Sequence, residues 1–125
     1  MKLWTMLGGA ALALGVSACA SNKTPATAEV AVSREAVSAA TSAGAADLAP
    51  AEMQSAREKL MRANQALAAK DYKTAQDLAT QASADAQLAQ SKANSAKATM
   101  AADELQQNIR LLREELQRAN ATSQQ

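Results

Sequence analysis

Ala66-Leu67-Ala68-Ala69-Lys70-Asp71-Tyr72 is the stretch whose reading decides the fold. On its N-terminal side Met53, Ala56, Leu60, Ala63 and Leu67 recur at intervals of three and four. That is the apolar stripe of an amphipathic helix of about 20 residues, with Arg57, Glu58 and Arg62 off the stripe. On its C-terminal side Tyr72, Ala75, Ala79, Ala82, Ala86, Ala89, Ala93, Ala96 and Met100 repeat with the same spacing. Between the two stripes Ala69-Lys70-Asp71-Tyr72 reads as a turn, in which Asp71 caps the second helix by accepting a backbone N–H. Helices joined by so short a link lie antiparallel. A seam of alanine lets their backbones approach closely; Leu60 and Leu67 meet its start, and Leu78 and Leu88 are expected beside it. The fold class is all-α, an Ala-rich antiparallel helical hairpin with a long C-terminal helix.

Upstream, Ala49 precedes Pro50 and is pushed out of helical geometry, while Pro50 suits the first position of a helix. Asp47-Leu48-Ala49-Pro50 is therefore a boundary. Before it a first helix is expected from Pro25 or Thr27 to Ala43, capped by Thr24 and stopped by Gly44. Val30, Val37 and Ala40, with Val32 as a further candidate, form its weak apolar stripe. If this helix folds back on the other two, the domain is a three-helix bundle; periodicity alone leaves that open.

Past Met100 the seam breaks. Asp103 falls where an apolar residue is due, and Ala102, Leu105, Ile109, Leu112, Leu116 and Ala119 open a new register flanked by Arg110, Arg113, Glu114, Glu115 and Arg118. A helix over residues 72–119 measures ~70 Å at about 1.5 Å per residue, and its hairpin partner is too short to cover it. Leu105, Ile109, Leu112 and Leu116 are thus the candidate partner interface, open to the first helix, a protein partner or a homo-oligomer. The helical domain is expected over residues 29–119, with a polar tether at 19–28 and a frayed tail at 120–125.

Alanine supplies most of the 48% hydrophobic residues, and Phe is absent. Trp4 lies near the N-terminus, which leaves Tyr72, expected to pack over the turn, as the aromatic of the helical region. Stability must then come from helix propensity, where alanine ranks best, and from close contact of small faces. The 13 basic and 12 acidic residues nearly cancel, and Lys2 is the one charge before Cys19. A balanced charge argues against nucleic-acid binding, which needs a basic patch, and against a polybasic membrane surface.

The residues for common chemistry are missing. Histidine is absent, and a nucleophile needs a positioned base. Asp103-Glu104 and Glu114-Glu115 are adjacent carboxylates that point different ways from a helix, which suits solvated faces rather than paired acid–base work. No metal-ligand spacing and no Gly-rich phosphate loop occurs. Met53, Met61 and Met100 read as gap-fillers. We expect no catalytic residue, no metal, no cofactor and no enzymatic activity.

The N-terminal segment carries a separate message. Lys2 precedes an apolar run over residues 3–16 that is short for a membrane span, and Ser17 and Ala18 close it. Residues 1–18 read as a secretory leader. Val16-Ser17-Ala18-Cys19 resembles a bacterial lipobox. The resemblance implies a diacylglycerol thioether on Cys19, cleavage between Ala18 and Cys19, and acylation of the new amino group by a fatty acid such as palmitate. Only a thiolate is nucleophilic enough near neutral pH to take the lipid. Ordinary leader cleavage, leaving Cys19 as a free thiol, and an uncleaved anchor are the competing readings. Two or more acyl chains hold a protein at a membrane stably where one does not. By resemblance to enterobacterial lipoproteins, Ala20 in place of Asp implies sorting to the outer membrane rather than the inner.

The run Leu48-Ala49-Pro50, Ala56-Arg57-Glu58-Lys59-Leu60, Ala66 to Tyr72, Ala75, Leu78-Ala79, Asp85-Ala86 and Leu88-Ala89 resembles a family of bacterial envelope lipoproteins known as domain of unknown function 4398. Its members look like a leader, a lipid-bearing cysteine and a helical hairpin, and some relatives add an OmpA-like peptidoglycan-binding domain. The turn is also similar to one tetratricopeptide-type helix pair, though stable arrays need about three repeats. The Ala-rich rod is loosely similar to the murein lipoprotein, but Gln125 stands where a peptidoglycan-linked lysine would be, so peptidoglycan binding has no support. The expected function is an outer-membrane-anchored periplasmic lipoprotein with a scaffolding or helix-mediated interaction role. The alternative is a periplasmic chaperone or accessory subunit that holds clients through the hairpin.

Overall fold

The computed structural model describes residues 23–124, so the leader, the Ala18–Cys19 site and the first part of the tether lie outside the described residues. Among those described are four helices: α1 (Lys23–Ser42), α2 (Ala45–Leu48), α3 (Pro50–Ala68) and α4 (Tyr72–Thr122). The fold is all-α, and α3 and α4 form the antiparallel hairpin.

The hairpin turn follows from its residues. Lys70 takes a left-handed φ of 62°, and the Lys70 and Asp71 amides return to the carbonyls of Leu67 and Ala66 at 3.1 and 2.9 Å. Those bonds satisfy acceptors that the end of α3 would leave open. Asp71 Oδ1 then accepts from the Thr74 amide at 3.2 Å and starts α4. Tyr72 is half-buried at that corner. Ala49, at φ −146°, breaks the chain before Pro50 as expected.

The first helix folds back, making a three-helix bundle. Val30 packs with Ala63 and Ala79, while Ala40 packs with Met53, Ala56, Ala86, Ala89 and Ala93. Helix α1 therefore runs parallel to α4 and antiparallel to α3, with its N-terminal end beside the hairpin turn. Its buried positions are Ala26, Val30, Ser33 and Ala40, with Val37 half-buried. Val32 points to solvent, because Ser33, not Val32, falls on the three-and-four rhythm. The serine tolerates burial by donating its hydroxyl to the Val30 carbonyl at 3.2 Å.

The boundaries need two corrections. Helix α1 already includes Lys23, so residues 23–28 of the expected tether are helical and Thr24 lies within the first turn instead of capping it. Pro25 fits there because a first-turn residue has no intrahelical use for its N–H. Helix α4 continues through Thr122, past the expected end at Ala119, so most of the expected frayed tail is helical as well. Gly44 does stop α1, at φ 76°. The four-residue α2, with buried Ala45, then carries the chain from α1 to α3.

The core is made of alanine. Ala75, Ala79, Ala82, Ala86, Ala89 and Ala93 of α4 are fully buried, and they meet Ala56 and Ala63 of α3 and Ala26 and Ala40 of α1. Met53 and Ser33 are the largest fully buried side chains among the described residues. Leu60, Leu67 and Leu78 close the sides near the turn as half-buried neighbours. Leu88 does not: it lies 49% exposed on the far side of α4, not beside the seam.

Candidate interaction surface

Helix α4 outlasts its partners. Lys97 marks the level where α1 ends, with its Nζ 3.5 Å from where a Cβ on Gly44 would stand. Ala93 is buried, Ala96 is half-buried, and every described residue from Lys97 onward is exposed. Residues 98–122 therefore project ~37 Å beyond the bundle at about 1.5 Å per residue. Because α1 runs parallel to α4, this projection is at the opposite end of the bundle from the N-terminus of α1.

Leu105, Ile109, Leu112 and Leu116 sit on the projection at intervals of four, three and four, so they share one face. Ile109 is 39% exposed, and the three leucines are about 60% exposed (59–64%). No described element covers them. Leu111, also exposed, lies about 130° around the helix from this face and is not part of it. The sequence-expected interface residues are thus brought together and left open, whereas Ala18 and Cys19 fall outside the described residues.

Within the bundle the polar groups are spent on joining helices. Asp85 Oδ2 accepts from Lys59 Nζ at 2.5 Å and from Ser55 Oγ at 2.6 Å. Glu52 pairs with Lys92 further along the same two helices. Arg34 donates to Asn64 Oδ1 at 3.1 Å, and Thr80 donates to Glu29 Oε1 at 3.2 Å, tying α1 to α3 and α4. Burial pushes the Asp85 carboxyl up, but the hydrogen bonds from Lys59 and Ser55 outweigh it and hold the group below its ordinary value. The hydrogen bond from Lys92 lowers Glu52, and that from Thr74 lowers Asp71. Each of these carboxylates already has a structural partner. Among the described residues no three His, Cys, Asp or Glu side chains converge on a metal-sized site, and no helix is long and apolar enough to cross a membrane.

The described residues thus form an alanine-seamed three-helix bundle from which one end of α4 projects bare. The chain belongs to the family described as Domain of unknown function (DUF4398), whose model matches residues 28–105. That match begins at Ala28 within α1, covers α2 and α3 and enters the projecting part of α4, ending at Leu105. No curated protein and no solved structure matches the chain.

Proposed function

We propose that this chain is a lipoprotein of the outer membrane's periplasmic face, anchored through Cys19, that scaffolds by presenting the bare face of α4 to another helix. The observation that carries the reading is the polarity of the bundle. The N-terminus of α1, four residues after Cys19, is at the end opposite the exposed Leu105, Ile109, Leu112 and Leu116. An anchor at Cys19 would hold the hairpin turn near the membrane and carry the apolar face outward by ~50–65 Å at about 1.5 Å per residue. That geometry suits a spacer with a contact at its tip. Exposed apolar patches of this kind mark binding surfaces.

Intact mass of the membrane-extracted protein, beside the Cys19→Ala variant, tests the anchor. The expected result is loss of residues 1–18 with added acyl mass, abolished in the variant. A cleaved chain with a bare Cys19 would overturn the anchored reading and favour a soluble periplasmic holder of clients. Cross-linking of Ile109→Asp tests the contact: the scaffolding reading requires that partner adducts seen with the unsubstituted chain disappear.

A further inference from the structure

The apolar face of the projection does not start at its base. Every buried alanine of the α4 seam has a counterpart nine residues further on, as Ala79 has Leu88, Ala86 has Ser95 and Ala93 has Ala102. Nine residues are two and a half turns, about 180° around the helix. The counterparts form a second stripe on the side of α4 that faces away from α1 and α3. This stripe keeps the four–three rhythm over residues 84–119. It holds Leu88, Leu105, Ile109, Leu112 and Leu116, with alanine and serine between them, no charged residue, and every position exposed.

We propose that this outer stripe is a pairing surface for a second copy of this chain, lying parallel and in register. The proposal deepens the scaffolding reading by naming its partner, and it rests on that reading for both copies pointing the same way from one membrane. Length favours the whole stripe. The seam of the projection alone is barely two and a half heptads, whereas residues 84–119 span five, above the three to four that an autonomous coiled coil needs. A strip ~53 Å long and about 10 Å wide buries ~1,000 Å² in a pair, the size at which specific interfaces begin.

Geometry and charge select the occupant. Ile109 falls at an a position between Leu105 and Leu112 at d, the combination that favours two parallel strands, while the other large a residues, Leu88 and Leu116, are leucine. Small residues meet small over 91–102 and large meet large over 105–116, a profile that a second copy in register supplies at every layer. Along the flanks of a parallel pair Lys92 faces Gln87, Arg113 faces Asn108 and Glu115 faces Asn120, so no like charges meet. The antiparallel register that matches large to small would set Lys92 against Arg113. Because the stripe faces away from α1 and α3, two copies can close on it with both bundles outside.

Disulfide trapping in envelopes of cells making the full chain tests the pairing. Ser95→Cys and Leu116→Cys should each give a disulfide dimer as the main species after oxidation. Gln107→Cys, nine residues from Ala98 and so on the opposite face, should stay monomeric. No dimer at the first two positions, or equal trapping at all three, overturns the proposal. Trapping only when Ser91→Cys and Leu116→Cys chains are mixed overturns it in favour of an antiparallel pair. The unsubstituted chain reports the anchor separately. A lipid-bearing Cys19 forms no disulfide, whereas a bare one does, and pairing is then read in a Cys19→Ser background.

Discussion

Lys59 and Asp85 form an ion pair of 2.5 Å between α3 and α4, and one heptad away on both helices Glu52 and Lys92 form another with the charges reversed. An alanine seam looks nearly the same after a slide of seven residues, so apolar contact alone sets the axial register weakly. The two pairs remove that freedom. Sliding one way would bring Lys59 to Lys92, and sliding the other way would bring Glu52 to Asp85. Both slips put like charges together, and the native register alone satisfies both pairs.

A double exchange tests this directly. Glu52→Lys with Lys92→Glu keeps an opposite pair in the native register but makes both slipped registers attractive. The expected outcome is a helical protein with broadened or multiplied backbone NMR signals. A single sharp set of native signals would assign the register to other contacts.

Acid should weaken the same bridge. The folded-state carboxyl of Asp85 lies below its ordinary value of 3.8, so its contribution is present above that value and is lost as pH falls through the folded one. Asp85→Asn should cost about 1 kcal/mol at neutral pH and lose less stability than the parent chain below pH 3.8. Thermal unfolding followed by circular dichroism across that range measures both.

The core should resist large residues and miss its one large side chain. Ala89→Leu forces three extra carbons into a fully buried helix–helix contact and should destabilise by about 1–3 kcal/mol or more. Met53→Ala should cost about 2–5 kcal/mol. Denaturant midpoints at unchanged slope are the readout.

Gly44→Ala should destabilise by about 1 kcal/mol. The cause is its left-handed φ of 76°, since the nearest atoms to a new Cβ are in the flexible Lys97 side chain at ordinary contact distance. The complementary variant Lys97→Ala, which removes the neighbour but not the strain, should leave the Gly44→Ala penalty unchanged in a double-mutant comparison.

Substitutions on the outer face of α4 should behave oppositely to those in the seam. Ile109→Asp should leave the stability of the isolated bundle within about 0.5 kcal/mol, because no described element touches it. Its effect should appear in association, measured by sedimentation of the detergent-extracted chain.

Local signals made the hairpin legible. Asp71 and the stripes on either side of it specify a cap, a turn and two apolar faces, all within reach of short-range rules. Val32 and Ser33 show where such rules weaken. Valine is the more apolar of the two, but the inward direction of α1 was set by its neighbours, and a serine that bonds to its own helix is cheap to bury. Leu88 misled for a related reason. A leucine beside an alanine seam reads as part of it, yet angular position decides, and Leu88 is about half a turn from Ala79.

By itself the sequence determined the helices, the turn and the alanine seam, because propensity, capping and periodicity act within a few residues along the chain. Only the tertiary structure decided that α1 folds back parallel to α4, which places the N-terminal end of the bundle opposite the bare tip. It also decided where burial ends along α4, at Ala96, and that Leu88 lies on the exposed stripe. Both stripes have helical spacing and small side chains, and the burial of one is fixed by contacts between residues far apart in sequence, such as Lys59 with Asp85, 26 residues apart, and Glu29 with Thr80, 51 apart.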